Sequence, residues 1–205
     1  MVGTLGMMTR RPGHFHAVKF YDSIASVSRI AAEFLGEGLA ARQPALVIAT
    51  PEHRKAIMAE LRARHFDVES METTGDIALV DAHAMLGSFM VGGRPDANLF
   101  QAAAARQLDQ RFGGRQVRVY GEGVDVLCKA GLDDAAIRLE MLWNKLVANR
   151  DIKTICAYSV SNHYKDASLR AVFDEHSHVV SNKGLTGHAL PTVRWGGPSR
   201  SLRES

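Results

Sequence analysis

Hydrophobic and polar positions follow two different periods along the central part of the chain. Short apolar or alternating runs predict β-strands, and longer segments with apolar positions three or four residues apart predict amphipathic helices. The runs that predict strands are 16–21, 45–49, 77–80, 117–120 and 154–159. Helical patterns alternate with these runs, so the sequence predicts an α/β fold with a mostly parallel sheet and helices on both faces.

Glycine and proline positions indicate where this regular pattern is interrupted. Gly36 and Gly38 lie near the end of the first predicted helix, where glycine lowers helix stability. Two glycines and a proline within 91–96 predict a surface loop. Farther along, the apolar spacing predicts a last helix over 164–175, and 178–181 is interpreted as an edge strand or an extension of the preceding turn.

Length and composition set the organisation that we expect. A chain of 205 residues with 46% apolar content fits one domain with a single buried core. We expect a flexible segment over 1–13, a folded domain over 14–181 and a flexible basic tail over 182–205. No apolar run is long enough for a membrane helix, and the first residues lack the apolar stretch of a signal peptide. We therefore expect a soluble cytoplasmic protein.

The net charge of +3 is concentrated at the two ends of the chain. Residues 1–11 carry +2 and residues 183–205 carry +3, so the segment between them carries −2. A slightly acidic body does not favour binding of nucleic-acid phosphates by the core, although the basic ends can still contact them. Nucleic acid is therefore not an expected partner of the core.

The phosphate-binding loop that many α/β nucleotide-binding proteins carry is missing. Such a loop needs glycines whose backbone N–H groups surround the phosphates, a lysine for the β and γ oxygens, and a Ser or Thr for Mg²⁺. No Gly-Lys dipeptide occurs in the chain, and 21–28, which joins the first predicted strand to the first predicted helix, contains neither glycine nor lysine. We therefore expect no ATP hydrolysis and no cofactor.

Five motifs, in order along the chain, resemble one protein family. They are His16-Ala-Val-Lys-Phe-Tyr-Asp22, Gly38-Leu-Ala-Ala-Arg-Gln-Pro-Ala-Leu-Val-Ile-Ala-Thr-Pro51, Phe89-Met-Val-Gly-Gly-Arg-Pro-Asp96, Arg138-Leu-Glu-Met-Leu-Trp-Asn144 and Cys156-Ala-Tyr158. Together they resemble the MEDS domain, the methanogen/methylotroph sensory domain of the DcmR type, which is related to the RecA/KaiC ATPases. The resemblance implies a three-layer RecA/KaiC-like fold without a phosphate-binding loop.

The resemblance also implies a function. MEDS domains are sensory modules, usually attached to a histidine kinase or a DNA-binding domain, and are thought to respond to small one-carbon or hydrocarbon-derived molecules. No output domain is recognisable beside the sensory segment, so we expect either that the signal passes by docking to a regulatory protein or that the chain is a fragment of a longer protein. Homo-oligomers are common for this architecture, and the sequence does not select one.

We predict a ligand pocket beyond the carboxyl ends of the strands, where parallel sheets bind their ligands. The predicted lining residues are His16, Tyr21, Glu122, Glu140, Trp143, Asn144 and Tyr158. Glu122 follows an apolar strand and is interpreted as a hydrogen-bonding group of the pocket, with helix capping or an ion pair as the alternative. For the predicted helix near the end of the domain, the alternative is that Trp143 packs at the sheet edge and Glu140 pairs with an arginine.

Two histidine pairs raise the question of a metal site. His14 with His16 and His176 with His178 have a spacing that places both rings of a pair on one face of a strand. No cysteine or carboxylate completes a recognised spacing, so no metal site is predicted. The two cysteines, Cys128 and Cys156, are interpreted as small core residues.

The sequence thus favours a non-enzymatic signalling module that senses a small molecule or the state of a partner. One alternative is a ligand-free interaction scaffold whose basic ends attract its partner. Another is a residual metal-dependent nucleotide hydrolase that uses Glu122 and Asp81.

Overall fold

A six-stranded sheet forms the centre of the computed structural model, which describes residues 15–160, 172 and 174–181. In chain order the helices and strands are β1 (Phe15–Tyr21), α1 (Ile24–Ala40), β2 (Ala45–Ala49), α2 (Pro51–Ala63), α3 (Val68–Thr74), β3 (Ile77–Asp81), α4 (Ala82–Gly87), β4 (Met90–Val91), β5 (Arg94–Pro95), α5 (Ala97–Phe112), β6 (Val117–Gly121), α6 (Gly123–Lys129), α7 (Asp133–Asn149), β7 (Ile152–Ser159) and β8 (His178–Val179).

The strands of the sheet lie in the order β3-β2-β6-β7-β1-β8. Every pairing described between them is parallel. The predicted α/β class and the parallel sheet are therefore confirmed. The predicted edge strand is also present, because His178 and Val179 pair with Ala17 and Val18 of β1.

Two apolar cores separate the sheet from the helices on its two faces. Helices α1, α2 and α3 pack on one face, and α4, α5, α6 and α7 pack on the other. Side chains that alternate along a strand enter opposite cores, so Ala17 and Ile155 face α1 while Val18 and Cys156 face α7. This arrangement gives the three layers that the sequence predicts.

The end of α1 differs from the prediction that its two glycines weaken it. The helix continues through Gly36 and Gly38 to Ala40. The glycines serve close packing instead, since a Cβ atom at Gly38 would lie 2.6 Å from Cδ of Arg118. Burial of this helix against β6 outweighs the intrinsic cost of glycine.

Two segments contain more regular structure than the sequence predicts. The predicted loop over 91–96 is a small antiparallel hairpin of β4 and β5, which Gly92 and Gly93 close with φ angles of +56° and +77°. Helix α3 is not predicted, because Val68 is its only buried residue and no apolar periodicity marks it.

Some predictions fall on residues outside the described ranges. These are the flexible ends over 1–13 and 182–205, the residue His14, and most of the helix over 164–175, of which Val172, Asp174 and Glu175 are described with helical backbone. Within the described part of the chain, no helix has both the length and the apolar character needed to cross a membrane.

Candidate functional site

Four metal-ligating side chains meet between the sheet and α7. His16 comes from β1, Cys156 from the neighbouring strand β7, Glu140 from α7, and His176 from the segment just before β8. All four are at most 2% exposed. One ligand atom from each lies within 4.8 Å of the others. We call these four residues the four-residue cluster.

The carboxylate of Glu140 is at the centre of the contacts in this cluster. Its Oε2 lies 3.1 Å from Nε2 of His16 and 3.4 Å from Nε2 of His176. Its other oxygen, Oε1, accepts a hydrogen bond of 2.7 Å from the hydroxyl of Tyr158. Nε2 of His16 also lies 3.4 Å from Sγ of Cys156. The hydroxyl thus fixes the carboxylate so that Oε2 faces both imidazoles.

Backbone carbonyls orient both imidazole rings from outside the cluster. Nδ1 of His16 lies 3.1 Å from the carbonyl oxygen of Glu175, and Nδ1 of His176 lies 2.6 Å from that of Val172. A carbonyl oxygen only accepts, so each Nδ1 carries a hydrogen and each Nε2 points inward. Asn144 extends this shell, because its Nδ2 donates to Oε2 of Glu175 over 3.0 Å.

The charges within the cluster compensate one another. Burial disfavours the ionised form of Glu140, but the charge of His176 and the close approach of both imidazoles outweigh it and lower the pKa of the carboxyl below its ordinary value. Burial likewise opposes protonation of His176, and Glu140 outweighs it, so the pKa of this imidazole is raised. Burial and the neighbouring Glu140 raise the pKa of the Cys156 thiol well above its ordinary value.

A second buried carboxylate, Glu122, lies at the carboxyl edge of the sheet directly after β6. Its Oε2 accepts from the backbone N–H of Thr50 over 3.0 Å and from the Thr50 hydroxyl over 3.3 Å. Its Oε1 accepts from the Tyr120 hydroxyl over 2.8 Å and contacts Nδ1 of His53. Both oxygens are therefore engaged, and they join the start of α2 to the end of β6.

A third buried carboxylate, Asp125 of α6, joins the ends of two other strands at the same edge. Its Oδ2 accepts from the hydroxyl of Tyr21 over 2.8 Å and contacts Nζ of Lys129 at 2.8 Å. Its Oδ1 accepts from the backbone N–H of Ser159 over 2.8 Å. We call the groups around Glu122 and Asp125 together the carboxyl-edge network.

A narrow apolar pocket adjoins the four-residue cluster. Its walls come from β2, β6, β7, α4, α6, α7 and the connection between α4 and β4. Its lining residues are Ile48, Ala82, Met85, Leu86, Phe89, Gly121, Gly123, Val124, Leu139, Trp143 and Cys156. Cys156 belongs to both features. The lining therefore combines hydrocarbon side chains and two glycines with one thiol, one thioether and one indole.

Comparison with known proteins identifies the family. Residues 15–177 match the family described as MEDS, methanogen/methylotroph, DcmR sensory domain. The chain belongs to the MEDS family. Among solved structures it is similar to a KaiC-like protein from the hyperthermophilic archaeon Pyrococcus horikoshii OT3, with 16% sequence identity and a TM-score of 0.56 over 82% of this chain and 72% of that chain. No curated protein matches the sequence significantly.

These matches confirm two predictions, the family and the fold, and they support a sensory role in general terms. The MEDS resemblance is confirmed, and the similarity to the KaiC-like protein confirms the RecA/KaiC-like fold. At 16% identity that similarity concerns the fold alone. The family assigns this MEDS chain a sensory role.

The seven residues predicted to line one pocket are distributed over three places in the MEDS domain. His16 and Glu140 belong to the four-residue cluster, and Tyr158 donates a hydrogen bond to Glu140. Asn144 donates a hydrogen bond to Glu175, which is not a member of the cluster. Trp143 lies in the wall of the apolar pocket. Tyr21 and Glu122 belong to the carboxyl-edge network.

The alternatives considered for individual residues also have structural outcomes. Trp143 is buried in the core with its ring 5.4 Å from that of Phe100, so it does not pack at the sheet edge. Within the part of the chain that the structure describes, Glu140 contacts two histidines and no arginine. The side chain of Glu122 makes no capping hydrogen bond to α6. Asp81, by contrast, caps α4 by accepting from the backbone N–H of Ala84.

Sequence reasoning did not foresee the partners that complete these sites. His53 and Asp125 have no motif that marks them. Cys156 and His176 join His16 only through the pairing of β1 with β7 and β8. Two signals were available. The pairs His14/His16 and His176/His178 raised the question of a metal site, and His16 and Cys156 each belong to a MEDS motif at a predicted strand.

Proposed function

We propose that this MEDS domain is a non-catalytic sensor that binds a small, largely apolar molecule in the apolar pocket and relays binding to a regulatory protein. The pocket carries the proposal. Its lining is largely hydrocarbon, and the lining side chains with other chemistry are the Cys156 thiol, the Met85 thioether and the Trp143 indole. Such a surface favours small hydrocarbons or their halogenated or methylated derivatives over charged ligands.

The narrowness of the pocket supports a ligand of few atoms. A molecule of three heavy atoms gains at most about 4.5 kcal/mol on binding, which corresponds to a dissociation constant in the millimolar range. Entry of even such a molecule separates the apolar walls. The ligand then shifts the equilibrium from the narrow to a wider form of the pocket, and the size of the shift depends on how much more tightly it binds the wider form.

The wall of the pocket offers a route to the surface. Short helix α4 contributes Met85 and Leu86 to the pocket and leads directly into the β4–β5 hairpin. The hairpin exposes Val91, which is 59% accessible, and its Pro95 carbonyl accepts a 2.7 Å hydrogen bond from Arg138 of α7. Outward movement of α4 would therefore shift an exposed hairpin that a histidine kinase or transcription regulator can contact.

Two features support a non-catalytic role. The β1–α1 connection lacks the glycines and the lysine that hold phosphates, and it contains Asp22 and Ser23 instead. At the carboxyl edge, where an ATPase needs a free carboxylate, the oxygens of Glu122 and Asp125 already accept internal hydrogen bonds. Neither of these two described regions therefore offers the groups that phosphoryl transfer needs.

A pair of glycine substitutions tests the pocket. In Gly123→Ala the new Cβ would lie 3.3 Å from Cδ2 of Leu139 and 3.6 Å from Cδ2 of Leu86, which narrows the pocket. Gly87→Ala is the matched control, because a Cβ there meets nothing within 4 Å. Both changes are made in a Trp195→Phe background, so that Trp143 is the only tryptophan that reports binding.

Dichloromethane is the apolar probe, and methanol is the polar one-carbon control. We expect dichloromethane to quench Trp143 fluorescence in a saturable manner with a millimolar midpoint. In Gly123→Ala the midpoint concentration should rise by at least about tenfold. Gly87→Ala should leave the midpoint unchanged, and methanol should not saturate. Quenching that never saturates, together with no binding of xenon, would contradict the proposal.

A further inference from the structure

We infer that the four-residue cluster of His16, Glu140, Cys156 and His176 is a binding site for a divalent transition metal ion, with Zn²⁺ as the best match. The inference goes beyond the proposed sensor function and does not depend on it. It rests on the donor set, the distances between donors, and the outer hydrogen bonds of both histidines.

The distances within the cluster suit a tetrahedral ion. Ligand atoms that lie about 2.0–2.3 Å from a tetrahedral Zn²⁺ are about 3.3–3.8 Å from one another. The three contacts that join the cluster measure 3.1, 3.4 and 3.4 Å, and all four ligand atoms lie within 4.8 Å. The ligand atoms that are farthest apart would have to approach each other by about 1 Å to surround one ion.

The outer contacts are those of metal-binding histidines. A histidine that binds a metal through one ring nitrogen almost always donates its other N–H to a carbonyl or carboxylate. Both His16 and His176 do so through Nδ1, to the carbonyls of Glu175 and Val172. The carboxylate is oriented in the same manner by Tyr158. Two imidazoles and one carboxylate are thus held with an atom directed toward a shared centre.

An internal ion pair does not account for the whole arrangement. A pair of Glu140 with one imidazolium would require one good hydrogen bond at Oε2. Among the described residues, Oε2 makes no hydrogen bond of good geometry, although Nε2 atoms of two imidazoles lie at 3.1 and 3.4 Å. The second imidazole and the thiol, which lie at the same centre, have no function in such a pair. A metal ion uses all four.

The donor types select the ion. Nitrogen and sulfur ligands favour zinc and its neighbours over Mg²⁺ and Ca²⁺, which prefer sites made of oxygen. Two neutral imidazoles, one carboxylate and one thiolate carry a total charge of −2, which a divalent ion neutralises inside the core. Binding releases to solvent the proton of the thiol and any other proton that a ligand atom carried.

Cobalt binding to the full 205-residue chain tests the inference. The protein is stripped with a chelator, and Co²⁺ is added while the absorption spectrum is recorded. We expect one equivalent to give the intense visible bands of tetrahedral cobalt and a near-ultraviolet thiolate-to-metal charge-transfer band. One equivalent of Zn²⁺ should remove both. Cys156→Ser should lose the charge-transfer band.

The second cysteine provides a matched control. Cys128 is partly buried, and burial raises the pKa of its thiol to about 12. It does not belong to the four-residue cluster. Cys128→Ser should keep the full spectrum. A charge-transfer band that Cys128→Ser removes and Cys156→Ser retains would overturn the inference, as would the absence of any such band in the folded wild type.

If Cys156→Ser does not fold, a substitution of Tyr158, which positions Glu140, tests the site instead. Tyr158→Phe removes the hydroxyl that orients Glu140 and leaves all four ligands in place. We expect it to weaken Zn²⁺ binding about 10–100-fold, measured by competition with a chromophoric chelator. Equal zinc affinity in the wild type and in Tyr158→Phe would contradict the site.

Discussion

The carboxyl-edge network and the four-residue cluster each contain a fully buried glutamate, but they satisfy it differently. Around Glu122 the backbone N–H of Thr50 and the hydroxyls of Thr50 and Tyr120 all donate to the carboxylate. Around Glu140 one hydroxyl donates to one oxygen, and two inward imidazoles face the other. A buried carboxylate alone therefore does not carry the proposal of a binding site. The proposal for Glu140 depends on the two imidazole nitrogens that face one of its oxygens.

The two regions also occupy different places in the fold. Parallel α/β sheets commonly bind ligands beyond the carboxyl ends of their strands. In this MEDS domain the carboxyl-edge network fills that place with the protein's own side chains. The cluster and the apolar pocket lie inside the layer between the sheet and helices α4, α6 and α7. The two features for which we propose binding thus lie in the layer between sheet and helices, although the fold resembles that of a KaiC-like protein.

The largest expected effect follows from breaking the carboxyl-edge network with Glu122→Gln. A glutamine amide has one acceptor oxygen, so its NH₂ group would face at least one of the buried donors that now bind the carboxylate. We expect the free energy of unfolding to fall by about 2–4 kcal/mol, and the loss to be the same with and without Zn²⁺. Denaturant-induced unfolding measures the change.

An exposed glutamate provides the control for that substitution. Glu52 lies in the first turn of α2 and is exposed, so Glu52→Gln removes only a favourable interaction with the helix dipole. Its cost should be about 0.5 kcal/mol or less. If Glu122→Gln cost no more than Glu52→Gln, the carboxyl-edge network would not be a stabilising feature.

The same substitution in both regions sharpens the comparison. Tyr21→Phe removes a donor to Asp125, and Tyr158→Phe removes a donor to Glu140. Without metal, each should cost about 1–2 kcal/mol of unfolding free energy. With Zn²⁺ in excess, Tyr158→Phe should lose about 1.4–2.7 kcal/mol more, which corresponds to a 10–100-fold weaker affinity, while Tyr21→Phe should not change. Thermal melts with and without zinc distinguish the two outcomes.

The smallest expected effect concerns an exposed ion pair, which sets the scale for the buried networks. Arg150 donates two hydrogen bonds to Asp109, and these lower the pKa of the carboxyl below its ordinary value of 3.8. The pair therefore stabilises the fold above about pH 4 and loses its contribution as the pH falls through the lowered pKa.

Asp109→Asn tests this pair by removing the carboxylate. It should cost less than about 1 kcal/mol at pH 7, and its difference from wild type should vanish in strong acid. Unfolding free energies measured at several pH values provide the check. A cost that stayed constant down to the lowest pH would show that the ion pair is not its cause.

The sheet could be predicted because its strands are short apolar runs buried from both sides. Strand β2, for example, is buried at all five positions. Helix α3 could not be predicted from periodicity, since it buries Val68 alone. Its ends do carry local signals, with Asp67 accepting from Ser70 N–H and Gly75 in the left-handed conformation at +79°. Capping thus marks this helix where the apolar pattern does not.

The candidate site was harder to predict because it depends on strand pairing between distant segments. His176 reaches His16 only because β8 pairs with β1 across about 160 residues of sequence. No spacing along the chain encodes that approach. Glu140, which was predicted to line a pocket with an arginine pair as the alternative, is fully buried and contacts histidines from two other segments.

The contact between Gly38 and Arg118 sets a rule for how sequences of this fold can vary. Arg118 is a buried cation in the middle of β6, and its guanidinium donates to the Phe34 carbonyl and to Glu37. Because that head group is held at its far end, its stem cannot move away from a new side chain at position 38. Relatives with a larger residue at position 38 should therefore carry a shorter one at 118, so that the two positions covary as one unit.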